Sequence, residues 1–205
     1  MVVIVDLKMG NTGSVLNMLK RLGIEASISS DSTDILRAEK LIISGVGSFD
    51  QAMKSLIDSG LLEPLNEKVL RRKAPILGIC LGMQLFSKSS EEGKLEGLGW
   101  IDAKTVKFKF AEQNKLKIPH MGWNTIKEKD NSSLFRDMPE SLRFYFAHSY
   151  HVVCNREENV ISRTFYGLDF VSALQKDNIF GVQFHPEKSH RFGLRLLKNF
   201  SEIQC

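Results

Sequence analysis

Three short, mainly apolar runs limit what this chain can fold into: VVIVD at Val2 to Asp6, LIIS at Leu41 to Ser44, and ILGI at Ile76 to Ile79. None of them alternates apolar with polar residues, so each reads as a strand buried on both faces. Each is followed by glycine and then by helical spacing. After the first, Asn11 can cap a helix carrying Val15, Leu16, Leu19 and Leu22, which Gly23 ends. After the second, an amphipathic stretch from Asp50 places Ala52, Met53, Leu56 and Ile57 on one face. Pro64 opens a further helix that closes on Arg71-Arg72-Lys73, cations suited to a helix C-terminus. This alternation predicts an α/β fold, a mostly parallel central sheet with helices on both faces. Beyond the helix that opens near Gly82 the segments become short and partly alternating: TVKFKF, WNTI, RFYFAHSYHVV, NVISRTF, FVSALQ and IFGVQFH. They predict a smaller antiparallel portion, with Asp177-Asn178 as a hairpin turn. A last helix carries Phe192, Leu196, Leu197 and Phe200.

No repeat, low-complexity tract or linker divides the 205 residues, so residues 1–205 read as a single domain. No stretch approaches the roughly 20 apolar residues that span a bilayer. Asp6 and Lys8 fall where a secretory signal keeps its apolar core, so a cytoplasmic protein is expected. Cys80, Cys154 and Cys205 are too few and too scattered for a disulfide framework. No Cys/His ligand spacing calls for a metal, and no cofactor is expected. The net charge of +4 is mild, and neither nucleic acid nor membrane is an expected partner. The one basic cluster, Lys104 to Lys117, interleaves lysines with Val106, Phe108 and Phe110. It reads either as a docking strand for nucleic acid or a protein, or as a half-exposed strand with lysines on its wet face. The second is the commoner use.

Four motifs carry chemistry. Gly78-Ile79-Cys80-Leu81-Gly82 has the spacing of a nucleophile elbow, a sharp strand-to-helix turn whose neighbours must be small. Such a turn puts Cys80 at a helix N-terminus, where free amides favour a thiolate, and makes the Leu81 N–H a candidate oxyanion donor. A lone cysteine is otherwise often just a small buried hydrophobe. GVQFHPEKS supplies His185 as a candidate base and Glu187 as its orienter, with Pro186 ending the strand between them. His120, His148, His151 and His190 compete with His185 for that role. Gly45-Val46-Gly47, directly after a buried strand, can turn a backbone N–H toward an oxyanion, although a lone G-x-G is usually only a turn. Pro119-His120-Met121-Gly122-Trp123-Asn124 reads as a core strand or as an exposed apolar segment.

The combination of MGNTGSV, SGVGSF, GICLGMQLF, PHMGWN, FYFAHSYHV and GVQFHPEKS spans nearly the whole chain and resembles the class I (triad-type) glutamine amidotransferases. Within them it is most similar to the glutaminase subunits of imidazole glycerol phosphate synthases. The resemblance implies the three-layer fold of that class. It assigns Cys80 as nucleophile, His185 as general base and acid, and Glu187 as orienter. Gly45, Val46, Gly47 and Leu81 would form the oxyanion site. Gln84 and His148-Ser149-Tyr150 would hold L-glutamine. Pro119, Met121, Trp123 and Lys188 would meet a (β/α)8-barrel cyclase subunit in a heterodimer and line the passage of ammonia. The chain departs from the family pattern at Ser44, where proline is usual, and at Leu7-Lys8, where an aromatic and a glycine are usual. SSEEG and SHRFG also suit paralogues that supply ammonia to a surface-sugar amidotransferase. A free-standing hydrolase and a catalytically silent binding module are the remaining alternatives.

Overall fold

The computed structural model describes residues 1–111, 116–129, 132–139 and 141–204. The first half alternates as the apolar runs predict. Strand β1 (Val2–Val5) leads to helix α1 (Thr12–Arg21), β2 (Ala26–Ser29) to α2 (Ser32–Arg37), and β3 (Lys40–Gly45) to α3 (Phe49–Asp58). Helix α4 (Leu62–Asn66) continues through Arg71 as a wider turn and precedes β4 (Ile76–Cys80) and α5 (Leu81–Leu85). The later strands are β5 (Ala103–Lys107), β6 (His120–Thr125), β7 (Lys127–Glu128), β8 (Arg143–His148), β9 (Tyr150–Cys154), β10 (Val160–Phe165), β11 (Asp169–Lys176) and β12 (Ile179–Val182), and α6 (His190–Glu202) closes the chain.

The main sheet runs β2-β1-β3-β4-β12-β11-β10-β7. Its β2, β1, β3, β4 and β12 are parallel neighbours, whereas β11, β10 and β7 are antiparallel. Alternate side chains of the parallel strands face opposite layers, as the strand period requires. Val3, Val5, Leu41 and Ile43 pack with Ile35, Phe49, Leu56 and Leu65 on the α2–α5 side. Val2, Ile4, Ile42 and Leu77 pack with Val15, Leu19, Leu197 and Phe200 on the α1 and α6 side. The α/β reading therefore holds, with helices on both faces and an antiparallel extension.

Three local features add to or refine the sequence reading. The β2–α2 pair carries no apolar run to announce it: ASIS is an edge strand half-buried at all four positions, so alternation with serine suffices. RFYFAHSYHVV is two strands broken at Ser149. Strand β8 forms a separate two-stranded ribbon with β6, while β9 joins the main sheet through β5 and β11. Among the described residues of the lysine-rich segment, strand is confined to Ala103–Lys107, paired on one side by β9, with Lys104 and Lys107 exposed and Thr105 buried. That is the half-exposed reading. Part of the segment, residues 112–115, and Cys205 lie outside the described residues.

Backbone crosses backbone very closely at the elbow. A Cβ on Gly82 would overlap the Ile43 backbone carbonyl of β3, and one on Gly78 would come within 2.6 Å of the Phe86 ring. Backbone cannot yield as a flexible side chain can, so Gly82→Ala is expected to destabilise the fold by about 3 kcal/mol. Gly13, with open space at its Cβ position inside α1, should instead gain roughly 0.5 kcal/mol as Gly13→Ala. Urea midpoints at unchanged m-value check both signs.

Candidate active site

Cys80 ends β4 and begins α5 with φ 54 and ψ −107, a conformation that side chains rarely adopt. The short helix behind it leaves the first amides, Leu81 N–H among them, without intrahelical acceptors. On the neighbouring strand Gly45 pairs with Cys80 in the parallel ladder, which brings the Gly45-Val46-Gly47 segment alongside the sulfur. The turn after β1 abuts this segment. A Cβ on Gly10 would lie 2.9 Å from Gly45 Cα, and one on Gly47 would lie 2.7 Å from Met9 Cε. Lys8 stands at φ 59, where the family pattern has glycine, and its ammonium pairs with Asp6 at 2.9 Å. Ser44 is buried opposite Ile79.

Strand β12 lies parallel to β4 with Val182 opposite Ile79, so the chain leaving β12 emerges beside the elbow. His185 is fixed there from three sides. Its N–H donates to the Tyr145 carbonyl (2.8 Å), its carbonyl accepts from Ser189 Oγ (2.6 Å), and its Nδ1 meets Glu187 Oε1 at 2.7 Å. Both side chains of the His185–Glu187 pair are only 2% exposed. Its Nε2 is buried without a hydrogen-bond partner, and Cys80 is near enough to act electrostatically on the ring. Burial disfavours the imidazolium, but the interactions with Cys80 and Glu187 outweigh it, and the pKa of His185 rises to about 10. Cys80 and Glu187 thus both favour the protonated imidazole at this position. The other buried histidines differ. Burial alone lowers His120 to about 4, and it leads the causes that hold His148 well below and His151 below the usual imidazole value.

A cavity of about 260 Å³ opens over the elbow. Val46, Gly47, Cys80, Leu81 and Gln84 form one wall, and His148, Ser149 and Tyr150 form another. Pro119 and Met121 close its rim. Two larger cavities, at the opposite end of the sheet, hold none of these residues. Trp123 and Lys188 lie outside the cavity, on the outer side of the β6–β8 ribbon and just past the triad. The Trp123 ring stacks on His190 with centroids 5.6 Å apart, and Lys188 Nζ sits 5.6 Å over the Tyr145 ring. Met121 is 63% and Trp123 40% exposed, so PHMGWN is an exposed apolar segment, apart from His120 beneath it.

Two residues that the motif reading did not assign also belong here. Glu92 lines the cavity and accepts the Phe49 N–H at 2.8 Å, which ties its loop to the start of α3. The acidic pair in SSEEG, just before a glycine, was its signal. Gln183 is fully buried, donates from Nε2 toward Cys80 Sγ at 3.7 Å, and accepts from Gln84 at Oε1. Its position two residues before His185, one strand period away, was the available clue. A nucleophilic sulfur, a proton carrier beside it, and backbone amides on two converging segments suit acyl transfer.

The chain is similar to known proteins over almost its whole length. The family model "Glutamine amidotransferase class-I" matches residues 3–203. Imidazole glycerol phosphate synthase subunit HisH 2 of Methanococcus maripaludis is 54% identical, covering 98% of both chains. Subunit HisH 2 of Pseudomonas aeruginosa is 46% identical, covering 99% of this chain and all of that one. Among solved structures, a glutamine amidotransferase superposes with a TM-score of 0.73 at 20% identity, covering 98% of this chain and 97% of that one. PurLQS from Thermotoga maritima gives 0.70 at 18%, covering 98% and 96%. With a matching family model over nearly its whole length, the chain belongs to the class I glutamine amidotransferases.

Proposed function

We propose that this chain is the glutaminase subunit of an imidazole glycerol phosphate synthase, one cytoplasmic amidotransferase domain that hydrolyses L-glutamine and passes the ammonia to a partner. The observation that carries the chemistry is the buried His185–Glu187 pair set beside a cysteine on a strained elbow. The synthase assignment is supported by relatives 41–54% identical across almost the entire chain, all bearing that subunit's name.

Cys80 Sγ attacks the side-chain carbonyl carbon of glutamine, and the oxyanion is received by the Leu81 N–H and an amide of Gly45-Val46-Gly47. Collapse of the adduct breaks the C–N bond while His185 gives its proton to the leaving nitrogen, which departs as ammonia. Water then adds to the γ-glutamyl thioester and returns a proton to His185, and glutamate leaves as the C–S bond breaks. Gln84 and the His148-Ser149-Tyr150 wall hold the substrate. Ammonia exits past Pro119, Met121, Trp123 and Lys188 into a (β/α)8-barrel cyclase seated on that face, forming a heterodimer. The apolar and aromatic character of the face suits a protein partner.

Cys80→Ala is expected to lower glutamate release, assayed with the cyclase subunit present, by about 10⁴-fold or more. Release that survives the substitution overturns the assignment.

Glu187→Gln removes an anion that holds the imidazolium. The alkaline limb of kcat/KM, set by loss of the His185 proton at about 10 in the native chain, should move to lower pH, and the rate at neutral pH should fall by about 10²-fold or more. The same pair bears on stability. Because folding raises the His185 pKa from 6.5 to about 10, its contribution is complete below 6.5 and is lost as the pH rises through the folded value. The stability gap between native chain and Glu187→Gln should therefore narrow on going from pH 6 to pH 10, as followed by urea denaturation.

A further inference from the structure

Beneath the exposed Met121 and Trp123 runs a continuous line of hydrogen bonds of which the reaction above uses only the end, at His148, Tyr150 and Gln84. Asn124, half-buried on β6, donates from Nδ2 to His120 Nε2 (3.2 Å). His120 Nδ1 meets His148 Nε2 (3.1 Å), and His148 Nδ1 meets the Tyr150 carbonyl (2.7 Å). The same carbonyl accepts from Gln84 Nε2 at 3.0 Å, and Gln84 Nε2 also donates to Gln183 Oε1 at 3.1 Å.

Backbone groups that cannot change role determine the direction at both ends. Asn124 Oδ1 accepts from the Thr125 N–H (2.8 Å) and its Nδ2 donates to the Phe165 carbonyl (3.0 Å), so the amide cannot be flipped. Its N–H therefore faces His120 Nε2, which must be bare, leaving the His120 proton on Nδ1. That proton points at His148 Nε2, so His148 also carries its proton on Nδ1 and gives it to Tyr150. A second proton on either ring would set two N–H groups against each other. The His120 ring is held between Tyr166 and Phe146, with centroids 4.1 and 4.7 Å away, so it cannot turn to relieve such a clash. At the far end both hydrogens of the Gln84 amide are committed, to Tyr150 and to Gln183. Its Oε1 is the atom left for a ligand in the cavity.

We propose that Asn124 and His120 are positioning residues for the glutamine pocket: they set His148 in its Nδ1–H tautomer, and through the Tyr150 carbonyl they hold Gln84 with its Oε1 toward the substrate. An acceptor there takes an N–H of glutamine and opposes any group that offers only lone pairs. The inference rests on the glutaminase reading for its kinetic consequence, but not for its tautomers.

Imidazole ¹⁵N–¹H NMR of the chain at neutral pH should show His120 and His148 both neutral and both protonated at Nδ1. An Nε2–H tautomer at either ring overturns the relay, whatever the protein catalyses. For the kinetic arm, His120→Asn keeps a donor where Nδ1 stood, whereas His120→Phe keeps only the ring. With the cyclase subunit present, His120→Phe should raise KM for glutamine about tenfold, with kcat within about twofold, as expected for loss of one buried hydrogen bond that bears on binding. His120→Asn should stay within about threefold of the native KM. Equal loss in both variants would assign His120 to packing alone, and no loss in His120→Phe would leave the relay without effect; either result overturns the proposal. Absence of glutaminase activity in the native complex would sink the functional reading and leave the NMR result to decide the relay.

Discussion

The contact between the Gly82 backbone at the start of α5 and the Ile43 carbonyl of β3 governs where the chemistry stands. A helix admitted that close to the neighbouring strand forces a sharp turn at its first residue, and Cys80 takes it up at positive φ. The turn points the sulfur out of the sheet edge and aims the first amides of α5 at the same space. Parallel pairing does the rest: β3, β4 and β12 are adjacent and end at one edge, so their exits deliver the Gly45–Gly47 segment, the thiol and the His185–Glu187 pair to one place. Ligand sites at the carboxyl ends of open α/β sheets follow from this arrangement.

Electrostatics separates histidines that composition cannot. His120, His148 and His185 are all at least 95% buried, and burial pushes each of them toward the neutral form. His185 alone has a carboxylate against one ring nitrogen and a cysteine near enough to act on the ring, and it alone is raised. The first two face each other, an amide and a backbone carbonyl; the Tyr150 carbonyl favours the His148 cation, but burial outweighs it. One residue type therefore supplies a proton carrier at one point and a neutral linkage about one strand pair away. The difference lies wholly in the partners.

The elbow at Cys80 and the His185–Glu187 contact were legible because each is a local pattern: glycines two residues from a cysteine, and a carboxylate two residues from a histidine with proline between. The parallel half of the sheet was equally legible from its unbroken apolar runs. What escaped depends on tertiary pairing. Strand β2 needs no apolar run because it lies at an edge, and the break at Ser149 divides one apolar stretch between two sheets. Gln183 reaches the site from a segment far along the chain from Cys80, Glu92 folds back from the irregular loop after α5, and Asn124 meets His120 and the Phe165 carbonyl only once β6 is in place. No spacing rule encodes such meetings, because loop lengths and strand order set them.

The apolar face beside the cavity bears on the oxyanion segment in a specific way. Gly45 is held by the ladder to Cys80, and Gly47 is held against Met9, so both ends of the segment are constrained. Val46 between them is 46% exposed and lines the same cavity as Met121, the most exposed apolar residue of the β6 face. A surface that covers Met121 and Trp123 therefore lies against the one residue of the segment not pinned by its neighbours. Val46 and Met121 thus meet across one opening, the first between two glycines fixed by their neighbours and the second on a strand of the β6–β8 ribbon, so the geometry above the sulfur is set by the loop after β3 and by the ribbon rather than by the sheet beneath.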